Sequence, residues 1–163
     1  MLLPFIGVLL IGLGLSSVHA DPPDGYPFLR YDEGLKLAQE KKKRVFLYFG
    51  RVGCAWCEIV NKQAFSDPAL KKKYVDHYVL VYADSEGGER LQLPSGERIT
   101  EAELGVRFKA FATPLFVWLE PTGEAIFKAP GIQTVKDFDK YDRFVHDGIY
   151  KQKTAQQFLA ENP

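Results

Sequence analysis

The stretch Val45-Phe46-Leu47-Tyr48-Phe49-Gly50-Arg51-Val52-Gly53-Cys54-Ala55-Trp56-Cys57 runs an apolar strand pattern through a short loop into the only two cysteines of the chain. Two residues between the sulfurs is a spacing with a mechanism. Across the start of a helix it puts both side chains on one side of the first turn, close enough for a reversible disulfide. The first sulfur then lies beside unpaired backbone N–H groups and the positive end of the helix dipole, which favour thiolate over thiol. Cys54 is therefore the expected nucleophile, and the more exposed and more acidic of the two thiols. Cys57, one turn deeper, is the expected resolving cysteine, which releases a mixed disulfide by attacking Cys54.

A Cys-x-x-Cys pair also serves as half of a zinc site or as a structural staple. A closed zinc site needs two further ligands. The chain has no second cysteine pair, and its three histidines are His19, His77 and His146. His19 falls in a segment expected to be removed, and the other two are far apart in sequence, so no metal site is expected at the cysteines. A staple closing so short a loop constrains little of the unfolded chain.

The chain has 163 residues, of which 46% are hydrophobic, enough apolar material for one ordinary globular core. Its 21 basic and 21 acidic side chains cancel, which removes the usual sign of a nucleic-acid or acidic partner. The one basic run, Lys41-Lys42-Lys43-Arg44, reads as a helix end complementing the dipole. Residues Leu2 to Val18 are apolar or small, and Val18-His19-Ala20 places small residues where a signal peptidase reads. Residues 1–20 are thus read as a secretory signal peptide, although the first residues carry no Lys or Arg. A retained membrane anchor is the competing reading, disfavoured by Pro4 and several glycines. In both cases the expected location is periplasmic or otherwise exported, an oxidising compartment.

Residues 21–30, rich in Pro, Asp and Gly, read as a flexible lead-in, and 31–163 as the folded domain. A helix capped near Asp32 is expected to end in the basic run, followed by a buried strand over 44–49 and a helix from the cysteines to about Phe65. Ser66-Asp67-Pro68 stops that helix and starts another toward His77. Residues 78–83 read as a second strand, and 84–98 as a polar insert, either a loop or a small hairpin. Thr100-Glu101-Ala102-Glu103 has capping-box spacing. Pro114 cannot donate to a sheet ladder and so stands at the beginning of an apolar strand that runs to Leu119, with a turn at 121–124 and a returning strand to Lys128 that Pro130-Gly131 breaks. The remainder reads as one or two helices interrupted near Gly148.

This order of elements, with Phe49 through Cys57, Phe65-Ser66-Asp67-Pro68, the polar insert and Ala112-Thr113-Pro114, resembles the thioredoxin superfamily across nearly all of 31–163. In detail it is similar to exported SoxW-type thioredoxins, and more distantly to the C-terminal domain of the DsbD reductase. The resemblance implies an α/β thioredoxin fold, a central mixed sheet flanked by helices, with Thr113 and a cis Pro114 beside the disulfide where substrate backbone binds. It departs from that family in having Gly53 where a Trp commonly precedes the first cysteine, and Tyr48 where a buried Asp helps move the resolving cysteine's proton. That transfer is expected to pass to Glu58 or to water, or to be absent, and Trp56 either offers apolar contact to substrate, the reading favoured, or folds back onto neighbouring apolar surface.

The function expected is an exported thiol-disulfide oxidoreductase that reduces protein disulfides or mixed disulfides, a direction implied by the resemblance alone. It needs no cofactor beyond its Cys-Ala-Trp-Cys pair. Its expected partners are a disulfide-containing client protein and a membrane thiol-disulfide electron donor, and the protein is expected to be a monomer. The rival reading is a non-catalytic binding or chaperone module of the same fold.

Overall fold

The computed structural model describes residues 22–163. The expected signal segment, residues 1–20, lies outside the described residues. The central sheet contains β1 (Val45–Gly50), β2 (Val79–Asp84), β5 (Leu115–Leu119) and β6 (Ala125–Pro130), in the order β2-β1-β5-β6. β1 runs parallel to β2 and antiparallel to β5, and β5 runs antiparallel to β6. The helices are α1 (Tyr31–Lys41), α2 (Ala55–Gln63), α3 (Pro68–His77), α4 (Glu101–Phe108), α5 (Val135–His146) and α6 (Ala155–Glu161). This mixed sheet with flanking helices is the architecture that the resemblance implies.

Strand alternation divides the core into two layers. Phe46, Tyr48, Leu80, Phe116 and Trp118 point to one face, where Val60, Tyr74, Phe138 and Phe158 from α2, α3, α5 and α6 pack on them. Val45, Leu47, Phe49, Val81 and Val117 point to the other, against Leu35 and Ala38 of α1 and Leu104 of α4. Because both faces are covered, β1 is buried at every position, which explains its unbroken apolar run.

The polar insert is an antiparallel hairpin of β3 (Arg90–Gln92) and β4 (Arg98–Thr100), whose Leu91 and Ile99 join the second layer. Here Asp32 departs from its expected role. It does not cap α1, whose N-cap is Arg30 with no side-chain bond. Its Oδ2 instead accepts from the Gln92 N–H at 3.0 Å, and Arg30 donates to the Arg90 carbonyl at 2.6 Å, so the pair fastens the hairpin to α1. The other expected caps form as hydrogen bonds: Asp67 accepts from Leu70 N–H, and Thr100 and Glu103 make a capping box. β6 extends to Pro130, which pairs with Leu115 at the sheet edge, rather than breaking before it.

The lead-in also differs from expectation, because residues 22–30 are docked on the domain. Leu29 makes a parallel bridge to Val81, donating to the Leu80 carbonyl at 2.9 Å and accepting from Tyr82 N–H at 3.0 Å. Tyr26 is buried edge-on against Phe65 at 5.4 Å between ring centres. Phe28 lies against Tyr48 and Tyr82. Two aromatic side chains bury enough apolar surface to offset the ordering of a short, Pro-rich segment. The docked segment also covers backbone groups of β2 that would otherwise form an open sheet edge.

α1 reaches the sheet at Gly34, where a Cβ would stand 2.2 Å from Cγ2 of the buried Val81. That valine has little rotamer freedom to yield. Gly34→Ala is expected to lower stability by about 1–3 kcal/mol through overpacking, despite the better helix propensity of alanine. Denaturant unfolding with an unchanged or raised midpoint would contradict this packing argument.

Candidate active site

The site is built where β1 hands the chain to α2. After Gly50 the backbone turns through Arg51-Val52-Gly53, with Cys54 N–H bonded to the Arg51 carbonyl at 3.3 Å. Gly53 has φ +70°, in the left-handed region that strains residues bearing a Cβ. This gives a physical reason for glycine at position 53. Cys54 is the N-cap of α2, in extended conformation, and its Sγ accepts from Cys57 N–H at 3.1 Å. Cys54 and Cys57 are joined by a disulfide with Cα atoms 5.2 Å apart.

A second donor reaches the same sulfur from across the sheet. Thr113 Oγ1 lies 3.2 Å from Cys54 Sγ. It is placed there by the cis Thr113-Pro114 bond at the entrance to β5, and by Gly131 N–H bonding the Pro114 carbonyl at 2.9 Å. Cys54 Sγ thus faces two hydrogen-bond donors at the N-terminus of a helix, an environment that stabilises negative charge on sulfur. The difference in exposure expected between the cysteines is not present in this oxidised form, where both are buried, at 6% and 7%. What separates them is the pair of donors, which both point at Cys54.

Tyr48 stands where the resemblance implies a buried carboxylate. Its ring is buried against Phe65 and Phe116, and its hydroxyl donates to Asn61 Oδ1 at 3.2 Å. Burial pushes its phenol well above the usual tyrosine range, so it stays protonated at neutral pH and carries no proton away. Glu58 is exposed and paired with Lys62 at 3.5 Å, one turn along α2. It nevertheless lines, with Cys57, Asn61, Arg51 and Pro23, a cavity of about 690 Å³ beside the disulfide. That volume is ample for water, which gives Cys57 and Glu58 a common solvent path.

Trp56 is 59% exposed at the start of α2. Sequence reasoning missed three further exposed apolar side chains that adjoin the site segments in sequence: Val52 in the loop before Cys54, Phe111 two residues before Thr113, and Ile132 directly after Gly131. Phe111 is the most exposed of them, at 77%. Each adjoins a segment that meets Cys54 or Pro114. The readable signal was an apolar residue within two positions of a motif residue, in a loop with no strand or helix period to bury it.

Residues 31–146 match the thioredoxin-like domain family. The chain belongs to that family. Among relatives, an uncharacterised protein of Caenorhabditis elegans, B0495.5, is 33% identical over 69 residues, covering 42% of this chain and 9% of its own length. The chain therefore spans about a tenth of that relative. Among solved structures, a thioredoxin-fold protein from Helicobacter pylori superimposes with TM-score 0.65 at 23% identity, covering 74% of this chain and 80% of that one. A thioredoxin from Thermus thermophilus gives TM-score 0.60 at 26% identity, covering 74% and 86%. These likenesses establish the thioredoxin fold.

In this thioredoxin-like domain the two donors on Cys54 lead to an expected order of reactivity. Limiting iodoacetamide on the reduced protein near neutral pH is expected to label Cys54 before Cys57. Thr113→Val should slow that labelling about three- to tenfold, the scale of one ordinary net hydrogen bond of about 1 kcal/mol. Preferential labelling of Cys57, or an unchanged rate in the Thr113→Val form, would contradict the assignment.

Proposed function

We propose that the protein is an exported thiol-disulfide oxidoreductase of the SoxW-like kind that reduces disulfides or mixed disulfides of client proteins. The observation that carries this reading is the convergence of Cys57 N–H and the Thr113 hydroxyl on Cys54 Sγ. A structural staple needs no donor aimed at one sulfur, whereas a nucleophile gains from both.

In the reduced enzyme the Cys54 thiolate attacks one sulfur of the client disulfide. The client S–S bond breaks, its second sulfur leaves as thiolate, and a Cys54–client mixed disulfide forms. Cys57 then gives its proton to water in the adjoining cavity or, through that water, to Glu58. Its thiolate attacks Cys54 Sγ, the bond from Cys54 to the client breaks, and the client sulfur held there leaves as thiolate while the Cys54–Cys57 disulfide forms. Two electrons have passed to the client, and a membrane-borne dithiol donor restores the reduced pair by the reverse exchange. Client backbone lies along Thr113 and Pro114, and the apolar side chains of Val52, Trp56, Phe111 and Ile132 contact the client around the disulfide. Aromatic side chains at such a rim supply binding area at small entropic cost.

Insulin reduction driven by dithiothreitol tests the activity. The parent protein should accelerate turbidity and Cys54→Ala should not; equal rates would leave only the binding-module reading. Cys57→Ser should trap covalent client complexes and Cys54→Ser should trap none. Equilibration against glutathione buffers sets the direction, since a potential near roughly −270 mV marks a reductant and one near roughly −120 mV an oxidant.

Phe111→Ala and Trp56→Ala should raise KM for a protein disulfide several-fold, while leaving the rate with a small aromatic disulfide within about twofold. Equal loss on both substrates would place these side chains in the chemistry rather than in client contact.

A further inference from the structure

His77 and His146, 69 positions apart in sequence, meet in the folded chain. His77 ends α3 and His146 ends α5, and their rings stack with centroids 3.6 Å apart and planes 8° from parallel. Asp142 lies one helical turn before His146 and so shares its face. Its Oδ1 meets His77 Nδ1 at 2.9 Å and accepts from Tyr78 Oη at 2.8 Å. One donor atom from each of His77, Asp142 and His146 can be chosen so that all lie within 4.8 Å of one another. We infer that His77, Asp142 and His146 form a binding site for one divalent transition ion of the zinc class, remote from the disulfide.

The donor set decides the class of ion. Two imidazoles and one carboxylate suit zinc and its borderline neighbours, and fall short of the all-oxygen shell that magnesium and calcium require. Three protein ligands leave the remaining positions to water. Asp142 is nearly buried, yet among the described residues it pairs with no Lys or Arg and has only His77 as a basic partner. The nearby Arg44 is engaged elsewhere, with the His146 carbonyl, the Tyr150 hydroxyl and Glu120. A buried carboxylate without a fixed cation retains an attraction for one. Tyr78 Oη holds its orientation, as an outer partner does for a metal-bound carboxylate.

Lone pairs lie in the imidazole plane, so parallel rings cannot both aim at one ion. Binding requires one ring to turn, and the structure favours His146, whose side chain is 40% exposed against 27% for His77. Its contact with the neighbouring Asp147 at 3.3 Å is a solvent-exposed pair. The site lies where β2 begins, whereas the cysteines follow the end of the parallel β1; about 20 Å of strand separates the two. An ion here would clamp α3 to α5 without touching the redox pair.

Calorimetric titration of the oxidised full chain with zinc chloride tests this, because the disulfide removes both thiols as competing ligands. One ion per chain is expected, with a thermal midpoint that rises with zinc concentration. His146→Ala and His77→Ala should each weaken binding at least about tenfold and abolish the rise. Equal affinity in these variants, or no saturation below about 1 mM zinc, would overturn the inference. Cobalt(II) titration of the parent protein, followed by paramagnetic shifts of the His77 and His146 ring protons, is independent of whether a variant folds. Unshifted ring protons at saturating cobalt would overturn it equally.

Discussion

β1 is clamped on two edges and two faces. β2 and β5 take its backbone groups, and the two side-chain layers enclose Val45 to Phe49. Burying five such side chains is worth on the order of 10 kcal/mol as an upper figure, comparable with the backbone entropy of ordering the strand. The strand is therefore stable only as part of the whole sheet. Once it is held, its C-terminal end is a fixed point from which only three loop residues lead to Cys54. The loop inherits the rigidity of the strand, and Gly53 provides the one backbone conformation that the short turn demands.

The same sheet aligns the second half of the site. β5 is antiparallel to β1, so its first residue, Leu115, pairs with Phe49 at the end where the cysteine loop departs. The residues just before Leu115, Thr113 and Pro114, are thereby delivered to Cys54. Neither half holds the geometry alone: α2 supplies one donor to the sulfur and the entrance to β5 supplies the other. Small shifts in register would withdraw the Thr113 hydroxyl, because a one-residue slip turns every side chain to the opposite face of the sheet.

Much of this was legible in the residues. The apolar run of β1, the β-branched and aromatic residues of β2, the proline opening β5 and the cap spacings all report local chemistry, and local chemistry is what a single sequence carries. The expectations that changed depend on contacts made at long range. Asp32 has the composition of a cap, but its carboxylate serves Gln92, 60 positions away. Residues 22–30 have the composition of a linker, yet Tyr26 and Phe28 find aromatic partners that only the folded sheet assembles. Cys54 caps α2 and Cys57 lies one turn inside it, a difference that suggests unequal exposure, yet the disulfide buries them alike. The separation of His77 from His146 in sequence is likewise no guide to distance once α3 and α5 lie side by side.

Having Tyr48 rather than a buried carboxylate near the end of β1 bears on how the second half of the proposed redox cycle is arranged. A carboxylate enclosed beside the cysteines would hold a proton close to Cys57 but would carry a heavy desolvation cost when ionised. Tyr48 avoids that cost, because its phenol stays neutral and its hydroxyl is satisfied by Asn61. In the proposed cycle the proton acceptor lies further out, in the cavity that Cys57 shares with Asn61 and Glu58. Proton transfer through solvent needs an open path more than it needs a tuned group, and the cavity wall is completed by Pro22, Pro23 and Asp24 of the docked segment. The contacts of Tyr26 and Leu29 that fasten this segment thus also shape the water-accessible side of the disulfide, which links the packing of the N-terminal segment to the chemistry of Cys57.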